Sequence, residues 1–153
     1  MIVLDTSGLL AAIDASQRQH AEAAAVIRAS AGPFLLSPVV LAELDYLLAT
    51  KVSQESAVAL LDQVASGAYR LEAMTADDVA RAAEIVVQYR DLRLGLADAS
   101  VVVLAERHST VDLLTLDERH FRAITGPGGQ PFRILPADGP SRSDQAAVER
   151  TTR

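Results

Sequence analysis

The chain has 153 residues, 50% of them hydrophobic and 22% charged, which fits one folded domain with a sizeable core and excludes intrinsic disorder. Cysteine is absent, so disulfides, thiolate metal sites and cysteine nucleophiles are excluded together, and no argument for secretion remains. Fourteen basic residues against twenty acidic ones give a net charge of -6, which argues against an extended basic surface for duplex binding but leaves room for a local arginine cluster. Lys51 is the only lysine, and none of the six aromatics is Trp. Lysine-based chemistry and base-stacking platforms therefore have little to work with.

The amino terminus, MIVLDTSGLLAAI, is apolar but lacks the charged n-region of a signal peptide, and no run approaches the roughly eighteen apolar residues that span a bilayer. A cytoplasmic protein with no membrane association is expected. Ile2-Val3-Leu4 is a β-branched run ending at Asp5, a first strand feeding a helix. Gln17 to Ala29 has helical register and stops at Gly32-Pro33. Phe34-Leu35-Leu36 is the second strand candidate.

Ser37-Pro38 is a helix start, with Ser as N-cap and Pro at the first helical position. Val40, Leu41, Leu44, Leu47 and Leu48 give the helix one apolar face. Ser53 caps another, for which Val58, Leu61, Val64 and Ala65 trace a stripe, and Tyr69 to Glu72 is a short strand. Thr75 and Asp78 approximate a capping box before a helix whose expected face is Val79, Ala82, Ala83 and Val86.

After Gly95 a helix runs to about Arg107, followed by a strand within Val111 to Leu116 and a short helix capped by Asp117 and carrying Phe121. Gly126 to Gly129 is a turn-rich loop, and Phe132 to Leu135 is a last strand. Short strands alternating with amphipathic helices indicate an α/β domain with a mainly parallel sheet over residues 1–137. Residues 138–153 are polar and are expected to form a flexible tail.

Four acids sit where charge is unexpected. Asp5 and Asp117 end apolar runs, and ligands of open parallel sheets bind outside the carboxyl ends of strands. Asp98 shares a helical face with Val101, Val102 and Ala105, and Glu43 lies beside Val40 and Leu47. Each has a plain alternative. Asp5, Asp98 and Asp117 can cap the helices they begin, and Glu43 can reach solvent from the edge of its stripe. If the four converge they require a cation, because two carboxylates 4 Å apart repel by about 4 kcal/mol at an effective dielectric near 20. Hard oxygen donors suit Mg²⁺ or Mn²⁺, and such a site is apparatus for phosphodiester hydrolysis.

The segments IVLDTSGLLAA, SPVVLAELDYLL, LGLADASVVVLAER and LLTLDERHF resemble the four successive acidic motifs of PIN-domain nucleases. In order and spacing they are most similar to the VapC-type toxins of bacterial toxin–antitoxin pairs, over about residues 1 to 136. The resemblance implies an α/β/α sandwich and a Mg²⁺-dependent endoribonuclease acting on structured RNA, tRNA or rRNA. By position, Asp5, Glu43, Asp98 and Asp117 match the four motif acids. Asp5 and Asp98 would bind metal directly, Asp117 directly or through water, and Glu43 would position or deprotonate the attacking water. Ser7 and Thr115 match hydroxyl positions that support the acids. Arg90, Arg93, Arg119 and His120 are phosphate-binding candidates, with ordinary exposed side chains as the plainer reading. The family also implies a cognate antitoxin, to which an acidic cleft offers a site for an inserted Arg, and a homodimer is expected.

Rival readings are weaker. A Mg²⁺-binding receiver-like signalling domain uses a lysine after a late strand, and Lys51 lies in an early helix. An Asp-nucleophile phosphatase wants a second Asp two residues after the first, where Ser7 stands. A non-catalytic PIN-like module that only binds a partner would not need all four acids. A DNA-directed or RNA-processing PIN nuclease is nearer, but the small size favours the toxin type.

Overall fold

The structure is a computed structural model and describes residues 1–139. Five strands, β1 (Ile2–Leu4), β2 (Phe34–Leu36), β3 (Arg70–Leu71), β4 (Asp112–Leu114) and β5 (Arg133–Leu135), form one sheet in the order β3-β2-β1-β4-β5. Every pairing is parallel, with Val3 opposite both Leu35 and Leu113. Successive strand side chains point to opposite faces, yet Ile2, Val3 and Leu4 are all buried. Both faces of the sheet are therefore covered, which makes the expected α/β/α sandwich.

Among the described residues seven α-helices supply the cover: α1 (Thr6–Ile13), α2 (His20–Ala29), α3 (Pro38–Lys51), α4 (Gln54–Ala65), α5 (Ala76–Gln88), α6 (Leu96–Arg107) and α7 (Glu118–Phe121). Sequential neighbours pack as pairs, α1 on α2, α3 on α4 and α5 on α6. The caps follow the sequence. Ser37 accepts from the Val39 N–H and Ser53 from the Ser56 N–H, and Thr75 with Asp78 closes a reciprocal capping box.

Two predicted helix faces are displaced. On α4 the buried residues are Ala57 and Leu60, whereas Val58 and Leu61 are exposed. On α5 they are Ala82 and Ile85, and Val79 and Ala83 face outward. Both helices carry more apolar residues than one face can hold, and the position of the partner helix decides which stripe is buried. Helix α6 departs differently. Ala99 through Ala105 are all buried, so it runs through the interior and packs on α3, α5 and β1.

Asp112 inside β4 is neutralised across the sheet. Arg133 of β5 grips it in a two-point pairing, Nε to Oδ1 and Nη2 to Oδ2, each at 2.6 Å. Asp138 is tied to the domain, accepting from the Ile134 N–H at 2.8 Å and pairing with Arg122. The rest of the expected tail, 140–153, lies outside the described residues. Among the described residues no helix is long and apolar enough to cross a membrane.

Candidate metal centre

The four acids lie on four different elements. Asp5 follows β1, Asp117 follows β4 by two residues beyond Thr115, Asp98 lies in the first turn of α6, and Glu43 lies on α3. The approach of α1 to β4 is close enough that a Cβ at Gly8 would lie 2.3 Å from the Leu114 carbonyl oxygen and 2.7 Å from the Thr115 nitrogen. Only glycine fits there. That contact lets Ser7 of α1 reach across, its Oγ accepting from the Leu116 N–H at 2.9 Å.

Asp5 is the most deeply placed acid, 4% exposed. Its Oδ2 accepts from Ser7 Oγ at 2.6 Å and from Thr115 Oγ1 at 2.7 Å. Burial pushes its carboxyl above the ordinary range, the two hydroxyls partly offset this, and the charge of Asp98 raises it further. Asp98 is half-buried and is also raised. Burial is the main cause, opposed by the Gly95 N–H at 3.0 Å and by His120, and reinforced by Asp117 and Glu43. Asp98 is thus coupled by charge to Asp117 and Glu43, and Asp5 is coupled to Asp98.

Burial falls steadily outward. Asp117 keeps about a third of its side chain exposed, and Glu43 is exposed outright. Glu43 is nevertheless fixed, because Thr6 Oγ1 donates to its Oε2 at 2.8 Å. The sequence offered capping and convergence as alternatives for Asp5, Asp98 and Asp117. All three do cap: Asp5 caps α1, Asp98 caps α6 through Gly95, and Asp117 caps α7 through the His120 N–H. Asp98 and Asp117 also bring carboxylate oxygens within 4.8 Å of each other.

His120 is the residue that sequence reasoning placed elsewhere, among candidate phosphate contacts. Its Nδ1 lies 2.8 Å from Asp117 Oδ2 and 3.8 Å from Asp98 Oδ2. One ligand atom each from Asp98, Asp117 and His120 lie within 4.8 Å of one another. The short helix that carries it is anchored by Phe121, fully buried and edge-on to Phe132 at 6.2 Å. Arg90, Arg93 and Arg119 are exposed, and among the described residues no ion pair joins them to the four acids. Thr6 was also missed. Its only signal in the sequence was its place in Asp5-Thr6-Ser7, three oxygen-bearing side chains in a row.

The donor set suits a divalent cation: the carboxylates of Asp98 and Asp117 grouped with one imidazole, and beside them Asp5 braced by hydroxyls. Residues 2–127 match the family model of the PIN domain. The chain is 45% identical to ribonuclease VapC26 of Mycobacterium tuberculosis over 135 residues, 88% of this chain and the whole of that protein. Its fold is similar to that of M. tuberculosis VapC20, described as a sarcin–ricin loop cleaving toxin, with a TM-score of 0.72 at 24% identity, covering 76% of this chain and 90% of that one. It is also similar to VapBC2 of Rickettsia felis bound to a promoter DNA fragment, with a TM-score of 0.63 at 20% identity, covering 88% and 99% of the two chains. The chain belongs to the PIN-domain family, among the VapC ribonuclease toxins of toxin–antitoxin systems.

Proposed function

We propose that the chain is a Mg²⁺-dependent endoribonuclease toxin, with Mn²⁺ as a substitute, that hydrolyses phosphodiester bonds in structured tRNA or rRNA in the cytoplasm. The observation that carries this is the group of Asp98 and Asp117, within 4.8 Å of each other, with Glu43 coupled by charge to Asp98 and Asp98 to Asp5, four acids carried by four separate elements. The 45% identity to a protein named as a ribonuclease supports the activity, and the sarcin–ricin loop named for VapC20 exemplifies the substrate class.

Asp5 and Asp98 would hold the cation, with Asp117 contributing directly or through water. A bound divalent cation supplies a water of lowered pKa and neutralises charge on the phosphate. Glu43, exposed and steered by Thr6, orients the attacking water and takes its proton. Ser7 and Thr115 keep Asp5 in one rotamer, so the carboxylate does not have to reorganise when RNA arrives. The products are a 5′-phosphate and a 3′-hydroxyl.

A cognate antitoxin and a homodimer complete the reading. The anionic cleft favours an inserted arginine, and the antitoxin-bound solved relatives support such a partner. Exposed Tyr46, Val58, Leu61, Val79 and Val87 offer apolar surface for association. The test is to incubate purified protein with total RNA of its host, with Mg²⁺ or EDTA, and map new 5′ ends. Discrete Mg²⁺-dependent cuts that Asp98→Asn protein does not make are expected. No cuts from folded, antitoxin-free protein would favour the partner-binding module instead.

A further inference from the structure

We infer that His120 is itself a ligand of the cation, through Nδ1, and that this nitrogen tilts the site towards Mn²⁺ over Mg²⁺. The inference rests on the proposed reading of the acidic cluster as a divalent-cation site. It concerns which atoms complete that site and which ion they select.

Two features of His120 point this way. First, its Nδ1 is buried against Asp117 Oδ2 at 2.8 Å, but the contact lacks the alignment of a hydrogen bond, and Nδ1 has no hydrogen-bond partner among the described residues. A buried ring nitrogen this close to a carboxylate oxygen normally shares a proton with it along the N–H axis. Second, one donor atom each from Asp98, Asp117 and His120 lie within 4.8 Å of one another, close enough to share an ion. Neighbouring donors around an octahedral ion with bonds of about 2.1 Å lie about 3.0 Å apart. Nδ1 stands 2.8 Å from Asp117 Oδ2, near that spacing, and 3.8 Å from Asp98 Oδ2, wider than it.

The local fold sets this up. Asp117 uses Oδ1 to cap α7 through the His120 N–H, and that bond turns Oδ2 and the imidazole towards the same space. Phe121, the next residue, is fully buried and fixes the rotation of the short helix. Asp117 and His120, three residues apart, therefore project together. Mg²⁺ prefers oxygen donors and keeps its water, whereas Mn²⁺ accepts an imidazole more readily. An imidazole added to the carboxylates discriminates between the two ions more than carboxylates alone.

Pulsed EPR of Mn²⁺ bound to the full chain reads the nitrogen directly. The wild-type protein is expected to show the ¹⁴N modulation of a directly bound imidazole. His20 and His108 do not compete for the assignment, since His20 Nδ1 faces the Ala11 carbonyl and His108 Nε2 faces Glu72. In His120→Gln the modulation is lost. Calorimetric titration of the same variant should show Mn²⁺ affinity reduced about tenfold or more, with Mg²⁺ affinity changed less than about twofold. Bound Mn²⁺ without nitrogen modulation in the wild-type protein overturns the role of His120 and leaves the acidic site standing, as does an equal loss for both ions in a folded variant. Mn²⁺ that remains fully hydrated beside the wild-type protein overturns the cation site itself.

Discussion

Thr115 donates its hydroxyl hydrogen to Asp5 Oδ2 at 2.7 Å, joining the ends of β4 and β1 across 110 residues of sequence. Thr115 Oγ1 in turn accepts from the Asp117 N–H at 2.9 Å, so one threonine orients two of the four acids. Ser7 has the mirror arrangement, donating to Asp5 and accepting from the Leu116 N–H. Each hydroxyl has a single hydrogen, and both hydrogens go to Asp5. The 3.2 Å approach of Ser7 Oγ to Thr115 Oγ1 is therefore a contact of two donors already committed.

Replacing Thr115 by Val keeps shape and β-branching but removes both bonds. RNA cleavage and divalent-cation affinity should fall about 10- to 100-fold, the usual effect of losing a residue that orients a ligand. Stability should fall by about 1–3 kcal/mol, because a buried carboxylate and a backbone N–H lose their partner. Thr115→Ser should restore most of both. Cleavage rates and urea titrations of the three proteins decide the matter, and a Val variant as active as the wild type would remove Thr115 from the site.

Gly8→Ala tests the packing beneath the site. The new methyl would meet backbone atoms of Leu114 and Thr115, which cannot rotate away as a side chain can. Helix α1 must lift from β4, at a cost of about 1–3 kcal/mol by the usual penalty for overpacking. Because Ser7 rides on α1, cleavage should drop along with the denaturation midpoint. An Ala variant of unchanged stability would mean that the two elements are not in contact.

Much of this was legible beforehand because it is local. Ser37-Pro38, Ser53 and the Thr75–Asp78 box announce helix starts, and the structure uses all three. The apolar runs that ended in Asp5 and preceded Asp117 gave the strand ends where parallel sheets bind ligands. What was not legible depends on neighbours distant in sequence. The inward stripes of α4 and α5 depend on where α3 and α6 press, and Val58 and Leu61 look as buriable as Ala57 and Leu60 until then. The hold of Thr6 on Glu43 spans 37 residues and has no periodic signature. His120 was nearest to being found. Its spacing of three from Asp117 was visible, but its rotation into the cluster follows from the burial of Phe121 and the Asp117 cap.

At the far end of α6, Asp78 accepts from the Thr75 N–H at 2.7 Å and pairs with Arg107. The backbone bond first and the guanidinium second hold its carboxyl down to about 2, below the ordinary 3.8. A carboxyl depressed on folding contributes stability above its unfolded pKa and loses it as pH falls through the folded one. The thermal midpoint of the wild type should therefore decline as pH drops from about 4 to about 2, and that of Asp78→Asn should decline less steeply over the same window. Parallel slopes for the two proteins would show that Asp78 is not differentially charged on folding.

Asp98→Asn separates activity from stability in the opposite direction. Burial, Asp117 and Glu43 together raise the Asp98 carboxyl, so the folded protein without metal holds that charge at a disadvantage. A carboxyl raised on folding has its full stability below the unfolded pKa and loses it as pH rises through the folded one. Asparagine keeps the size and can still accept from the Gly95 N–H, but it carries no charge. In EDTA at neutral pH the variant should melt above the wild type, and the difference should close as pH falls below the ordinary aspartate range of about 4. Divalent cation should then raise the wild-type midpoint more than that of the variant, because only the wild type has the Asp98 carboxylate to offer. Cleavage by the variant should be lost throughout. A variant less stable than the wild type in EDTA would mean that Asp98 is held mainly as a helix cap, and the stability argument for a site strained in the absence of metal would fail with it.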